Sequence, residues 1–468
     1  MSLGLCAILA ACDSDLQTDT FPATGSPNQP GNPEVPETAD GHGTASNGAI
    51  TLQVGSGSGG SAALVEGGGA VTVPVSLARL SGTTGTIQLT AGGETSADER
   101  DVSWEFTDAS LSPGEGASNL VLQLAIGSRP IRNQTRRLIV TADDGTDSLS
   151  ASVDVVVQPT SLPDVYLLVG QSNMMGFSED DSKQASPGGA DAPNERIRQL
   201  NVTGNDDANF TAAADFTTPA RLYNAANALT IAVDPLHDTY DESLGGKTGQ
   251  RIGPGLSFAK SALADTTADI VLVPAAWSDT GFCKRASNRL PGIGWNATQK
   301  SNAALSGTLL YERAVARANI ALEESGGVLR GILWHQGEAD SDDAACAQSY
   351  ADNLAELATA LRSNIDIDAR GASARGANAD IPFIAGTMSM GNESPANTQI
   401  PFNSSKQLVD DTHRNIASLI PLADYVNNDD LVPPGYPCGE GSCVHFGAAA
   451  YREMGQRYYQ QLIGLLPR

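Results

Sequence analysis

The sequence has few basic residues and few aromatic ones. Its 28 Lys and Arg face 54 Asp and Glu, which gives a net charge of −26. A surface of that sign repels nucleic acids and anionic membranes, so we expect neither to be a partner of the protein. Aromatic residues make up only 5% of the chain, while glycine is abundant at 49 residues. This mixture is typical of a loop-rich globular protein rather than a fibrous or membrane one.

Beyond the N-terminus the sequence lacks the run of about 18 apolar residues that a membrane span needs. Residues 3–11 form a shorter apolar run, and Leu9-Ala10-Ala11-Cys12 resembles the bacterial lipobox, whose cysteine is lipidated. We therefore expect residues 1–12 to be a lipoprotein-type signal segment with a lipid anchor at Cys12, and the protein to be extracytoplasmic or secreted. No Lys or Arg precedes the run, so a stray apolar end is the alternative.

Cysteines are also scarce, with 6 in the chain. An extracytoplasmic location permits disulfides, and four cysteines lie beyond the signal segment. We expect the pairs Cys438–Cys443, which closes a very small loop, and Cys283–Cys346. A zinc site is the alternative, but the usual paired spacing of its ligands is missing.

Composition and periodicity divide the rest of the chain. Residues 13–48 are rich in Pro, Gly, Thr, Asn and Asp, which predicts a flexible linker. From 49 to 160 the apolar residues alternate in about seven short runs without a helical stretch, which predicts an all-β, immunoglobulin-like sandwich. Because few aromatic residues are available for stacking on sugars, we favour a spacer over a carbohydrate-binding module for this domain.

The pattern changes again in residues 163–468. Val165–Val169 is a continuous apolar run, as buried parallel strands are, and similar runs lie at 270–273, 331–334 and 382–385. Helical segments are predicted between and after them, at 255–264, 309–324, 344–363, 404–419 and 447–465. This alternation predicts an α/β domain with a doubly wound parallel sheet, whose chemistry lies at the carboxyl ends of the strands.

A serine follows the first of these runs, in Gly170-Gln171-Ser172-Asn173-Met174. A serine at a turn from strand to helix projects from the backbone, and its own N–H can point toward a developing oxyanion. Alone, the motif would fit a helix N-cap better, because Met174 replaces the last glycine of the Gly-x-Ser-x-Gly elbow.

Three further blocks accompany the serine: Trp334-His335-Gln336-Gly337-Glu338-Ala339-Asp340, Val444-His445-Phe446-Gly447, and the segment 251–258 with Gly253-Pro254-Gly255. Together the four blocks resemble the SGNH hydrolase superfamily, in its branch of sialate O-acetylesterase and acetylxylan esterase-like carbohydrate esterases. The resemblance covers residues 163–468 and implies the flavodoxin-like fold of that superfamily.

The resemblance implies an acyl-enzyme mechanism with Ser172 as the nucleophile and His445 as the base. The chain has only 5 histidines, and the others are less suitable. They are His42 in the linker, His237 in a polar loop, His335 at a motif position usually read as structural, and His413 within a helix.

The acid of the triad is less certain in the sequence. Many SGNH hydrolases have an aspartate three residues before the base, where this chain has Ser442. In the carbohydrate-esterase branch the Glu of the His-Gln-Gly-Glu block can replace it, which implies Glu338. Glu440 and Asp340 are the alternative acids.

The resemblance also implies an oxyanion hole made by the N–H groups of Ser172 and Gly255 and the side-chain amide of Gln336. Three residues are candidates for the wall of the acyl or sugar pocket: Trp277, Thr280 and Trp295. A role in the core is an equal alternative for Trp277.

The predicted function is therefore a carboxylic ester hydrolase that removes acetyl groups from carbohydrates and needs no metal or other cofactor. A non-catalytic carbohydrate-binding lipoprotein is one alternative, supported by the missing aspartate. An SGNH esterase or lipase acting on other esters is the second, although long hydrophobic lid segments are lacking.

Overall fold

The computed structural model describes residues 44–46, 50–55, 61–79, 85–95, 98–124, 133–176, 189–201, 217–237, 252–283, 292–298, 304–365, 381–389, 403–431 and 444–466. Several features predicted above lie outside these residues: the signal segment with Cys12, residues 13–43 of the linker with His42, the Cys438–Cys443 pair and Glu440. The linker prediction ended too late, because Thr44–Ser46 forms a strand that pairs with the next one.

The first part of the chain forms two β-sheets from ten strands. The strands are β1 Thr44–Ser46, β2 Ile50–Val54, β3 Ser61–Val65, β4 Val71–Arg79, β5 Ile87–Gly93, β6 Val102–Phe106, β7 Ser110–Leu111, β8 Ala117–Leu124, β9 Gln134–Asp143 and β10 Ser148–Gln158. In the described residues one sheet has the order β1-β2-β4-β8-β6 and the other β3-β10-β9-β5-β7.

Alternating apolar side chains of both sheets meet in one core. Leu52 and Leu120 from the first sheet and Leu89, Val140 and Val155 from the second are all buried there. An apolar residue at every second position covers one face of a sheet, so two such sheets bury each other. A short helix, α1 (Asp98–Asp101), interrupts the strands, which corrects the expectation that this region has no helical stretch.

The second part of the chain forms a sheet of seven strands. They are β11 Asp164–Gly170, β12 Ile197–Leu200, β13 Leu229–Ile231, β14 Ile270–Pro274, β15 Val328–His335, β16 Phe383–Gly386 and β17 Ala423–Val426. Their order is β13-β12-β14-β11-β15-β16-β17, and all neighbours are parallel except β12 and β13. The predicted α/β fold with a parallel sheet is confirmed.

The helices cover both faces of this sheet. They are α2 Ser172–Met175, α3 Pro219–Leu222, α4 Gly255–Leu263, α5 Leu309–Ser325, α6 Ala344–Asn364, α7 Ser404–Arg414, α8 Ile416–Leu419 and α9 Ala448–Leu465. Leu167 of β11 packs in a core with α5 and α6, whereas its neighbour Leu168 packs in a second core with α4 and α9. Successive strand residues point to opposite faces, so β11 is apolar throughout because both faces are covered.

The predicted helices agree with these bounds, with one correction. The single helix expected at 404–419 is two helices, which meet at Asn415. Its side chain donates to the carbonyl of Asp411 and its backbone is not helical, as is common at a helix end. Within the described residues, no helix has the length and apolar character for crossing a membrane.

Candidate active site

Ser172 lies at the carboxyl end of β11, the strand flanked by β14 and β15 at the centre of the sheet. The strand ends at Gly170, whose φ is +131°, and a Cβ there would lie 2.1 Å from the carbonyl oxygen of His335. Only glycine permits both that backbone angle and that approach. The chain then turns at Gln171, and Ser172 begins α2 with 3% of its surface exposed.

His445 meets Ser172 from the other end of the domain. It lies three residues before α9, and its Nε2 is 2.9 Å from the Oγ of Ser172. The two residues are 273 positions apart in the sequence. A ring nitrogen at hydrogen-bond distance from a serine hydroxyl is the geometry that a general base needs.

Asn173, which sequence reasoning did not single out, connects this pair with its surroundings. Its side-chain amide is fully buried. The Nδ2 group donates to Oε1 of Glu338 at 2.5 Å and to the carbonyl of Val444 at 3.0 Å, and Oδ1 accepts a hydrogen bond from the hydroxyl of Tyr451 at 2.6 Å. The side chain after Ser172 thus contacts the residue before His445. The only sign of this role in the sequence was the position of Asn173 inside the serine motif.

Glu338 is buried beside Asn173, the residue that follows Ser172. Its hydrogen bond goes to Asn173 rather than to His445, and its Oε1 lies 3.8 Å from Nε2 of His335. Burial raises the pKa of Glu338, an effect that the hydrogen bond from Asn173 and the charges of Lys406 and His445 oppose. Within the described residues its carboxylate makes no hydrogen bond to His445, so it does not orient the ring by direct contact.

Asp340, the candidate acid considered after Glu338 and Glu440, has a different task. Its carboxylate accepts hydrogen bonds from the backbone N–H groups of Phe282 and Cys283 and from Nε2 of Gln336. These contacts fasten the loop after β14 to the loop after β15. Cys283 and Cys346 are joined by a disulfide, as predicted, and it links the same loop to α6.

Gln336 is placed differently from the expectation. Its Nε2 donates to the carbonyl of Thr280 and to Asp340, at 3.0 and 2.8 Å. An amide nitrogen has two hydrogens, and both are used within the protein. In this structure the Gln336 amide therefore holds neighbouring loops and has no N–H left for an oxyanion.

The three pocket candidates also differ from one another. Trp295 is fully buried in the core, edge-on to Trp334, and its Nε1 donates to the hydroxyl of Thr280. Thr280 is buried as well and donates to the carbonyl of Trp277. Both are therefore core residues rather than pocket walls. Trp277 is half-buried, and its backbone N–H donates to the carbonyl of Gly170. It therefore lies beside the turn that holds Ser172.

The block with Gly253 and Gly255 lies next to α2. A Cβ on Gly253 would be 3.0 Å from the carbonyl oxygens of Met174 and Met175. Gly255 begins α4, and a Cβ on it would be 2.7 Å from the side chain of Leu168 on β11. Within the described residues no hydrogen bond engages the backbone N–H of Ser172 or Gly255. Both N–H groups are at helix N-termini, where donors have no partner within the helix.

Two further histidines are packed below the site as neutral rings. His335 and His413 are fully buried, and burial lowers the pKa of each to about 3. The hydroxyl of Tyr350 lies 2.9 Å from Nε2 of His413 and donates to the carbonyl of Gln336. These rings support the loop after β15, which agrees with the structural interpretation of His335.

Residues 163–464 match the sequence model of a family described as carbohydrate esterase, sialic acid-specific acetylesterase. A probable carbohydrate esterase of Arabidopsis thaliana is 32% identical over 141 residues, which are 29% of this chain and 44% of that protein. The chain thus matches less than half of the length of this relative.

Two solved structures resemble the fold. An X-ray structure of a protein from Arabidopsis thaliana has a TM-score of 0.44 at 21% identity and covers 65% of this chain and 99% of that one. The crystal structure of NanS has a TM-score of 0.43 at 18% identity, with coverage of 64% and 96%. The family match spans more than half of the sequence, and it confirms the resemblance recognised in the motifs. The chain belongs to the carbohydrate esterase family described as sialic acid-specific acetylesterase.

Proposed function

We propose that this protein is a serine esterase that removes acetyl groups from a carbohydrate. The observation that carries the proposal is the 2.9 Å approach of His445 Nε2 to Ser172 Oγ at the carboxyl end of the central strand. Ligands of α/β sheets bind at that end of the strands. The family of the chain supplies the substrate class, an acetylated sugar.

The proposed reaction has two acyl transfers. Oγ of Ser172 attacks the ester carbonyl carbon while Nε2 of His445 takes the hydroxyl proton, and the tetrahedral intermediate then expels the sugar oxygen, which receives that proton. Water, deprotonated by the same nitrogen, attacks the acetyl-serine. Acetate leaves and the proton returns to Ser172. Neither transfer needs a group outside this chain.

We assign two backbone donors to the oxyanion, the N–H groups of Ser172 and Gly255. Both stand at helix N-termini, where the helix dipole also favours negative charge. Losing one donor of this kind costs about 2.7–4 kcal/mol of transition-state stabilisation. We leave Gln336 out of the hole, because Thr280 and Asp340 occupy its amide.

We propose Glu338 as the acid of the site. Its negative charge would stabilise the transition state, in which His445 takes the proton of Ser172 and positive charge develops on the ring, and the low dielectric of a buried site strengthens such an interaction. It differs from the acid of a hydrogen-bonded triad, because its own hydrogen bond is made to Asn173. Replacing Glu338 by Gln keeps the shape of the side chain and removes the charge, so kcat should fall while KM stays near its original value.

We further propose that residues 49–160 are a separate immunoglobulin-like domain that acts as a spacer between a lipid anchor at Cys12 and the hydrolase domain, residues 163–468. In the described residues of this region, Trp104 and Phe106 both pack against its core, and Nε1 of Trp104 donates to the carbonyl of Ala91. Aromatic rings that face a core are not available as platforms for sugars.

The decisive experiment measures hydrolysis of a small aryl acetate and of acetylated sugars by residues 21–468. Ser172→Ala should lower kcat by about 10⁴- to 10⁶-fold. Ser118→Ala is the matched control, since Ser118 is also a buried serine with a hydrogen-bonded hydroxyl but lies in the β-sheet region. Equal rates for the original protein and Ser172→Ala would disprove the esterase. Activity on the aryl acetate and on lipid esters, but on none of the acetylated sugars, would disprove the carbohydrate substrate.

A further inference from the structure

His445 lies on a short segment before α9, and in the described part of the chain the hydrogen bonds of its two neighbours lead to one side chain. Val444 precedes the base, and its carbonyl accepts from Nδ2 of Asn173 at 3.0 Å. Phe446 follows the base, and its N–H donates to the hydroxyl of Tyr451 at 3.4 Å. Tyr451 in turn donates to Oδ1 of Asn173 at 2.6 Å. Both neighbours of His445 are therefore connected to Asn173.

We propose that Asn173 is the positioning residue for the base, holding His445 from both sides and joining the carboxylate of Glu338 to the same network. This inference rests on the proposed function. Asn173 is next to the nucleophile in the sequence, so the amide that fixes His445 moves with Ser172. Nucleophile and base are thereby kept in register although they are 273 residues apart.

The protein environment makes this amide rigid. Asn173 and Tyr451 are each fully buried, and all three polar contacts of the amide are 3.0 Å or less. A buried amide that lost one of these partners would keep an unsatisfied group in an apolar surrounding, which costs free energy. Small displacements at a reacting centre are expensive, because an error of about 1 Å lowers the rate by about 10²-fold.

The amide of Asn173 also affects the ionisation of Glu338. Its hydrogen bond lowers the pKa of a carboxyl group whose pKa burial raises. Five other titratable groups act on Glu338 or lie beside it: His335, Tyr350, Lys406, His445 and Tyr458. Without the amide hydrogen bond, Glu338 keeps its proton to higher pH. A reaction that needs its carboxylate then loses activity at the acidic end of the pH range first.

Two variants separate the contacts of the amide. Asn173→Asp keeps the shape and the acceptor for Tyr451 but replaces the donors to Val444 and Glu338. Tyr451→Phe removes the hydroxyl but leaves both donors in place. We expect each variant to lower kcat for an aryl acetate by about 10²-fold with KM changed by less than threefold. Only Asn173→Asp should also move the acidic limb of the kcat/KM profile to higher pH.

Matched controls measure what the loss of a buried polar group costs by itself. Tyr459→Phe removes a hydroxyl from the same helix, where Tyr459 donates to Asp265 instead. Asn353→Ala removes a buried amide from α6 that donates to Ser349. These controls should lower the melting temperature without lowering kcat by more than about twofold.

The proposal is overturned if Asn173→Asp and Tyr451→Phe, both folded by circular dichroism, keep kcat within threefold of the original protein. It is also overturned if their losses appear in KM alone. If Asn173→Asp does not fold, Tyr451→Phe decides by the same criteria. NMR spectra of histidine-labelled protein test the positioning of His445 by Asn173 without substrate. The ring signals of His445 should shift in both variants and not in Tyr459→Phe. If Ser172→Ala is as active as the original protein, the esterase fails, and these spectra still test Asn173.

Discussion

The two sheet regions of this chain bury their strands in different ways. In β10, buried and half-exposed residues alternate over most of the strand, whereas every residue of β11 is buried. The first pattern belongs to a sheet with one covered face and the second to a sheet with helices on both faces. Ser172 lies where a strand of the second kind ends, at the carboxyl edge of the sheet, and Glu338 follows the end of another. Gln171 and Asn173, the neighbours of Ser172, are buried with it, so the side chain of Ser172 is held in place and largely shielded from solvent.

The largest expected effect is a loss of catalysis at the carboxyl edge of the seven-stranded sheet. His445→Ala should lower kcat for an aryl acetate by about 10⁴- to 10⁶-fold, because Ser172 loses its base. Thr141→Ala is the counterpart in the β-sheet region, at a half-exposed position whose hydroxyl bonds to Ser150. It should leave kcat within about twofold of the original. A loss of less than tenfold in His445→Ala would contradict the role of His445.

The second prediction compares one glycine from each region. Gly170→Ala places a Cβ against the backbone of His335 at a φ of +131°, and should cost about 4 kcal/mol or more in the free energy of unfolding. Gly145 has a φ of +88° with open space around it, so Gly145→Ala should cost about 1–2 kcal/mol. Chemical denaturation measures both. Equal costs would mean that the contact between β11 and β15 is not tight.

The third prediction concerns a contact between the two regions. Arg330, at the start of β15, forms a buried ion triad with Asp164 of β11 and with Glu66, which follows β3; both distances are 2.7 Å. Breaking such a pair costs about 3–5 kcal/mol, because it leaves a buried charge unpaired. Glu66→Ala should therefore lower the stability by about that amount.

The triad is at the amino ends of the strands, away from Ser172, so Glu66→Ala should leave kcat unchanged at a temperature where the variant is folded. Glu105→Ala, at an exposed position of β6, is the control and should change stability by less than about 0.5 kcal/mol. A fall of kcat in folded Glu66→Ala would show that the two regions are coupled through the sheet.

The smallest predicted effect is on the pH dependence of stability, and its sign differs between the regions. Burial, with the nearby charge of Asp191, raises the pKa of Asp234 to about 7. The native state then holds a proton that the unfolded chain releases near pH 4, so Asp234 lowers stability as the pH rises from about 4 to 7. Asp234→Asn should raise the melting temperature at pH 8 by about 2–4 °C and change it less at pH 5.

Asp98, in the β-sheet region, has the opposite sign. Burial raises its pKa, but hydrogen bonds from Thr95 and from the backbone of Arg137 outweigh that effect and lower it overall. Its contribution to stability is therefore present above pH 4 and is lost as the pH falls through its lowered pKa. Asp98→Asn should lower the melting temperature at both pH 8 and pH 5. An increase at either pH would contradict this assignment.

Much of the fold could be predicted from periodicity. The alternating runs of the first region and the continuous runs of the second became strands, and four of the five helices predicted in the second region match the structure within about two residues. The short strands β12, β13 and β17 were missed, because three or four residues carry too weak a pattern. The break at Asn415 was missed because apolar spacing continues across it.

The candidate site, like the fold, could be predicted from the sequence only in part. Ser172 and His445 could be named from the sequence, because each lies in a recognisable block, although their catalytic roles remain a proposal. The tasks of Gln336, Thr280 and Trp295 could not be inferred, since all three contact loops far away in the chain. Asn173 and Tyr451 were overlooked for the same reason, as their partners are up to 278 residues distant.

The sequence alone determined which segments are buried on one face or two, which blocks hold Ser172 and His445, and to which family the chain belongs. Those properties are local, because they depend on the order of residues within one strand, helix or motif. The tertiary structure decided which polar groups satisfy one another. It directed Glu338 to Asn173 rather than to His445, and Asp340 to the loop after β14. Hydrogen bonds are short and directional, so their pairing depends on ångström distances between segments, which only the packed chain fixes.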